Sequence, residues 1–258
     1  MNIIFKVRSI SVISVLAFAL PFAANARDVT EMADFSGFSR IELDTSADLK
    51  VKIGNEFSVK MTGDQRRIDR MEFERSGDKL EISGRSRFGF FGRDSGGYIK
   101  IEITMPDLEE MEINSSGDAE ISGLDNKEIS LNINGSGNIY ATGKSENLQI
   151  EVNGSGDIEL DQFKSKSVSI EIEGSGNVDF DGGTCDKMKI DVEGSGDIDA
   201  KDFVCKEINM DISGSGNSRV YATDLFIFKG DGSGRVDVFG KPNKIEDRTD
   251  HDSKIRIR

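Results

Sequence analysis

The chain has 258 residues, 47 acidic against 33 basic side chains, a formal net charge of -14, 28 glycines, 3 prolines and no tryptophan. So acidic a surface excludes nucleic acid as a partner, which demands clustered Lys and Arg, and it disfavours unaided binding to anionic lipid. The length holds one large domain or two small ones, and the composition describes a turn-rich β protein better than a helical one.

Lys6 and Arg8 open the chain as a short basic region, Ile10 to Ala19 form an apolar run, and Ala24-Asn25-Ala26 supplies the small-x-small pattern that signal peptidase accepts. Residues 1–26 are therefore read as a secretory signal peptide. The apolar run is too short to span a bilayer comfortably, and no integral membrane segment is expected after cleavage. No cysteine follows it to carry a lipid anchor; an uncleaved N-terminal anchor is the alternative. Losing Lys6 and Arg8 takes the net charge from -14 to -16. The expected destination is the periplasm, the cell surface or the medium.

Residues 27–113 alternate apolar and polar side chains: Ile41 and Leu43, then Leu49, Val51 and Ile53, then Val59 and Met61, Leu80 and Ile82, and Ile99, Ile101 and Ile103. Alternation is the strand period. These strands are expected to begin a solenoid and to cap its end, where an open core would be costly. The segment from Arg85 to Gly97 interrupts them. Its Arg87, Phe88, Phe90, Phe91 and Arg93 make a candidate partner loop; the plainer expectation is a loop folding its phenylalanines over the coil end.

Residues 114–240 carry the main signal, an internal repeat. Ser115-Ser116-Gly117-Asp118 is followed by copies of Gly-Ser-Gly-Asn or Gly-Ser-Gly-Asp and finally by Gly232-Ser233-Gly234-Arg235. The second glycines fall at 117, 137, 156, 176, 196, 216 and 234, in steps of 20, 19, 20, 20, 20 and 18. Each copy has one apolar frame, such as Leu148, Ile150 and Val152 before the glycines and Ile158 and Leu160 after them. A unit this small cannot bury its apolar face alone, so neighbours must stack. The predicted fold is all-β: a single-stranded, right-handed parallel β-helix of about 20 residues per coil, with an N-terminal β cap and a C-terminal tail over 241–258. A hairpin meander is the competing topology.

If alternation runs through the motif, the glycines point inward, where walls approach too closely for a Cβ. Ser136, Ser155, Ser175, Ser195 and Ser215 then form an outward hydroxyl ladder. Beside it, Asn138, Asp157, Asn177, Asp197 and Asn217 alternate amide with acid. Two carboxylates one strand apart would repel by roughly 1 kcal/mol in water, so the alternation reads as relief of like-charge stacking. The two ladders are the candidate binding face.

Cys185 and Cys205 each sit nine places after the second glycine of their coil and should be stacked neighbours. Other coils place Glu146, Ser165 and Leu225 at that count, which reads as a corner rather than core. Stacking brings the thiols within disulfide range along an oxidising route. A disulfide is the expectation; two free thiols are the alternative, because parallel Cβ vectors strain the bond.

Catalytic chemistry finds no foothold. Serine catalysis needs a base held by a third group, and the single histidine, His251, lies in the polar tail. Two Cys and one His make no convincing zinc set. Calcium wants six to eight oxygens, whereas the aspartates recur only every second coil, about 9.6 Å apart. No metal, cofactor or catalytic residue is assigned.

The glycine copies, the strand Ile99 to Leu108 and the ending Val236-Asp237-Val238-Phe239-Gly240-Lys241-Pro242 together resemble the putative auto-transporter adhesin, head GIN domain family. Thr45-Ser46-Ala47-Asp48-Leu49-Lys50-Val51-Lys52 resembles that family's start, and the likeness covers about residues 35–245. It implies a bacterial envelope β-solenoid without cofactor or catalytic residues; no membrane-barrel translocator segment accompanies it. The expectation is thus a non-enzymatic, adhesin-like binding or structural module whose partner is an envelope protein or a glycan, with end-to-end self-association through an uncapped end. The alternatives are a carbohydrate-active β-helix enzyme and a calcium-binding solenoid.

Overall fold

A computed structural model describes residues 28–84, 98–231, 233–249 and 255–258. The signal-peptide segment, the loop residues Arg87, Phe88, Phe90, Phe91 and Arg93, and His251 lie outside the described residues.

The alternating N-terminal segments form β1 (Val29–Ala33), β2 (Arg40–Asp44), β3 (Asp48–Ile53) and β4 (Ser58–Gly63). A four-residue helix, α1 (Gln65–Ile68), follows; no helical period announces it in the sequence. Asp64 caps it by accepting the Arg66 N–H at 3.0 Å, and Ile68 turns inward and is buried. Then come β5 (Met71–Ser76), β6 (Lys79–Gly84), β7 (Ile99–Met105) and β8 (Glu110–Ile113).

The repeats fold as long strands that bend around each coil: β9 (Ala119–Ile133), β10 (Ile139–Val152), β11 (Ile158–Gly174), β12 (Val178–Gly194), β13 (Ile198–Gly214) and β14 (Ser218–Gly230). β15 (Val236–Phe239) follows. The C-terminal tail expected over 241–258 carries two more strands, β16 (Lys244–Asp247) and β17 (Ile255–Ile257), so the coils continue past the last glycine motif.

Every pairing between successive strands from β8 to β17 is parallel, which removes the meander. Ile139 pairs with Ile158, Ile158 with Val178, Val178 with Ile198 and Ile198 with Ser218, so the register follows the glycine steps. The chain is a β-solenoid of about 7 turns.

The interior is a set of apolar columns. Ile150, Ile170, Ile190 and Met210 stack over one another with at most 1% of their surface exposed. Each such side chain contributes about 1.5–3 kcal/mol relative to an exposed one. Size is balanced between coils: Phe163, Gly183 and Phe203 share a column, and Phe180 fills the space over Gly183 by stacking on Phe203 at 4.3 Å.

The first coil underlies the repeats. β2 lies parallel to β8, and β3 to β9, placing Thr45-Ser46-Ala47-Asp48 beneath the first glycine motif. The strands β4 to β7 turn back to build the cap with β1: β6 pairs with β2, β7 with β3, and antiparallel β5, β4 and β1 finish the two edges.

Candidate ligand-binding faces

The Gly-Ser-Gly corner brings backbone against backbone. A Cβ on Gly156 would lie 1.9 Å from the carbonyl oxygen of Gly137, and one on Gly176 would lie 2.1 Å from that of Gly156. Contacts so short are possible only without a side chain. The serines between the glycines point outward. Their backbone N–H groups donate to the coil below, Ser155 to Gly135 at 3.0 Å, Ser175 to Gly154 at 3.0 Å and Ser195 to Gly174 at 2.8 Å. The side chains of Ser136, Ser155, Ser175, Ser195 and Ser215 are exposed, and their hydroxyls make no hydrogen bond among the described residues.

The acid/amide ladder is bonded to itself. Asp118 Oδ1 accepts the Asn138 backbone N–H and the Asn138 side-chain amide, both at 2.9 Å. Asn138 Oδ1 accepts the Asp157 N–H at 3.0 Å; Asp157 Oδ1 accepts both donors of Asn177, at 2.8 and 2.9 Å. Asn177, Asp197 and Asn217 repeat the pattern upward. Each Oδ1 thus satisfies a backbone donor at the bend where the strand ladder is interrupted. The amide gives each Asn a bond to the acid below that a second Asp could not make. Half of the candidate binding face is therefore engaged in holding coils together, and the serine half faces solvent.

A second surface carries free hydrogen-bonding capacity that glycine counting does not reveal. Beside Pro106 and Arg40, the outward residues of β9, β10 and β11 line a groove of about 1250 Å³. At its lower end the polar groups are paired: Asn132 donates to Glu110 Oε1 at 3.1 Å, and Ser130 donates to Asn132 Oδ1 at 3.0 Å. Higher up, Asn147, Gln149, Ser167 and Ser169 are exposed, and their side chains make no hydrogen bond among the described residues. Asp107 closes the lower edge, its carboxyl pushed up by burial and by the charge of Glu109. The signal for this groove was present as polar residues of short reach at every second place of these strands. Nothing in the sequence distinguished them from a solvated face.

A third surface is charged. Glu159, Asp179, Asp199 and Arg219 stack in register. Arg219 reaches Asp199 at 2.6 Å, while withdrawal from solvent and the charges of Asp199, Asp157 and Glu159 push the Asp179 carboxyl up.

Cys185 and Cys205 form a disulfide with Cα atoms 4.5 Å apart. Their place is core, not corner: Cys185 is 5% and Cys205 0% exposed. Register explains the difference. The strands slip between Thr142 and Lys144, so Ser145 rather than Glu146 pairs with Ser165; a second slip sets Ala222 rather than Leu225 against Cys205. The column Asn126, Ser145, Ser165, Cys185, Cys205 and Ala222 is uniformly small, and that lets two thiols meet inside the coil.

Among the described residues no group of three or more His, Cys, Asp or Glu side chains converges to hold a metal ion, and no helix is long and apolar enough to cross a membrane.

In-register parallel coils around a filled interior, with uniform outward ladders, define a protein of the β-solenoid class. The chain belongs to the family described as "Putative auto-transporter adhesin, head GIN domain", whose profile matches residues 37–242. Among solved structures it is similar to a "putative lipid binding protein" from Parabacteroides distasonis, 25% identical over 91% of this chain and 98% of that one, with a TM-score of 0.79. A "putative adhesin" from the same species is 18% identical over 91% and 98% of the two chains, with a TM-score of 0.80. Another from Parabacteroides merdae is 18% identical over 90% and 96%, with a TM-score of 0.78. At 18% identity these last two speak to the fold alone. No curated protein matches the chain.

Proposed function

We propose that this solenoid is a non-enzymatic, adhesin-like module of the bacterial envelope that binds a neutral glycan along its lateral faces. Membership of the head GIN domain family supports an extracellular or envelope setting. Export is further supported by the basic and apolar N-terminal pattern ending in Ala24-Asn25-Ala26, and by the disulfide, a bond favoured on an oxidising route.

The observation that carries the reading is the groove over β9 to β11. Asn147, Gln149, Ser167 and Ser169 hold uncharged donors and acceptors at strand spacing, without partners among the described residues. A polyhydroxylated ligand laid across β10 and β11 meets two uncharged polar side chains in each of two successive coils, Asn147 and Gln149, then Ser167 and Ser169. That repetition builds affinity from individually weak bonds of about 0.5–1.5 kcal/mol each. One similar structure is named a lipid binding protein. Here the interior is filled by side chains such as Leu131, Ile150 and Phe163, which favours a polar ligand on the surface over an acyl chain within.

A glycan array followed by calorimetry tests the proposal. The native chain should retain at least one neutral polysaccharide. The Gln149→Ala, Ser169→Ala pair should weaken binding about ten-fold, the loss of one or two good hydrogen bonds, while Ser195→Ala with Ser215→Ala should not. Retention of no saccharide, unchanged binding by the groove pair, or cleavage of the bound polymer would each overturn it.

A further inference from the structure

The uncharged groups of the groove are aligned, and their line runs along the solenoid rather than along a strand. Ser130, Gln149 and Ser169 stand one above the other in β9, β10 and β11, each pointing outward between buried neighbours. Below Ser130 the same column holds Glu110 and Arg40, which pair with each other at 3.6 Å; above Ser169 it holds exposed Lys189. Three neutral positions thus lie between charged ones. Along each strand only two outward places in the groove are neutral before a glutamate is reached, Glu128 in β9, Glu151 in β10 and Glu171 in β11. No aromatic side chain lines the groove among the described residues.

We propose that the glycan of the reading above, on which this inference rests, is an extended 1,4-β-linked hexose chain lying lengthwise in this lane, one sugar to each coil. Adjacent coils are about 4.8 Å apart. A chain joined through equatorial bonds at C1 and C4 is a flat ribbon that advances by close to that distance per sugar. Three consecutive sugars therefore stay in step with Ser130, Gln149 and Ser169. A 1,4-α-linked chain bends at each linkage and leaves the lane within a few sugars.

The ribbon also turns each sugar over relative to the last, so one edge shows by turns a projecting hydroxymethyl group and ring hydroxyls set further back. The lane alternates in reach with the same period: short hydroxyls at Ser130 and Ser169, and a long amide at Gln149 between them. Without an aromatic platform, the edge of the ribbon rather than its face meets the protein, and hydrogen bonds carry the recognition. Lys189 ends the lane above. Fixing its long side chain and stripping its water cost more than a bond to one neutral hydroxyl offsets. The Arg40–Glu110 pair ends it below.

Calorimetry on the full chain with oligosaccharides of increasing length tests this, using 1,4-β-linked glucose, mannose and N-acetylglucosamine series and a 1,4-α-linked glucose series. At least one β-linked series should bind more tightly with each added sugar up to about three or four and level off beyond. From the trisaccharide on, the α-linked series should be weaker by about ten-fold or more. Ser130→Ala and Ser169→Ala, at opposite ends of the lane, should each lower trisaccharide affinity roughly three- to ten-fold and leave the disaccharide little changed. Equal binding of the α-linked series, retention only of other linkages, an affinity indifferent to length, or end variants that leave the trisaccharide unaffected would overturn the lengthwise ribbon. A glycan-binding groove would survive those results so long as the Gln149→Ala, Ser169→Ala pair still weakens binding. Retention of no saccharide by the native chain would overturn the groove reading itself, and this inference with it.

Discussion

At each corner a single carboxamide or carboxylate oxygen stands in for a strand partner, and its neighbour determines which it should be. Asn177 sits between Asp157 and Asp197, donating its amide to the first and accepting the backbone N–H of the second. Replacing it by Asp would set three carboxylates in consecutive coils and remove a donor. Asn177→Asp should cost roughly 2 kcal/mol at neutral pH, about 1 for each of its two new like-charge neighbours. An acid whose folded pKa lies above its unfolded value destabilises when ionised. The deficit of Asn177→Asp, a repulsion between ionised carboxylates, should therefore be full at neutral pH and fade as pH falls and the carboxylates protonate. Urea midpoints of both proteins at neutral and acid pH will show it; a deficit that persists in acid would contradict the account.

At the scale of one strand and the next, the glycines decide whether coils can close on each other. Gly156→Ala must push the β10–β11 corner away from Gly137, whose carbonyl oxygen lies 1.9 Å from the new Cβ. The expected loss is roughly 2–4 kcal/mol, as for other overpacked sites. Ser155→Ala, one place away and facing solvent, should stay within about 0.5 kcal/mol. Denaturant unfolding of the two variants separates a packing requirement from a general sensitivity of the corner. Equal losses would argue against it.

This scale also marks how far the sequence could be read. Spacing alone gave the strands, the inward glycines and the partnership of Cys185 with Cys205, because a repeat forces equivalent residues together. It misplaced the depth of that pair. Counting from the glycine assumes coils of equal length, and the coil through Gly143 is one residue short. The groove beside Arg40 was not legible, since β4 to β7 fold back beneath the first coil and bring Pro106 and Asp107 to its edge. Only long-range topology makes that junction. Thr45-Ser46-Ala47-Asp48 is a corner without glycine, underlying the first motif.

Over the whole molecule, one rule generates the rest: each coil repeats the last, in register, about 4.8 Å higher. The filled interior, the self-bonded Asx ladder, the solvent-facing serines and the groove are all consequences of that translation. The antiparallel cap closes the N-terminal side. The most direct measurement of the rule is an engineered link between outward positions one coil apart. In a molecule carrying Ser155→Cys and Ser175→Cys, oxidation should join positions 155 and 175 within one chain, seen as a single cross-linked peptide before reduction. Failure to link, or links formed only between molecules, would contradict the register on which every other inference stands.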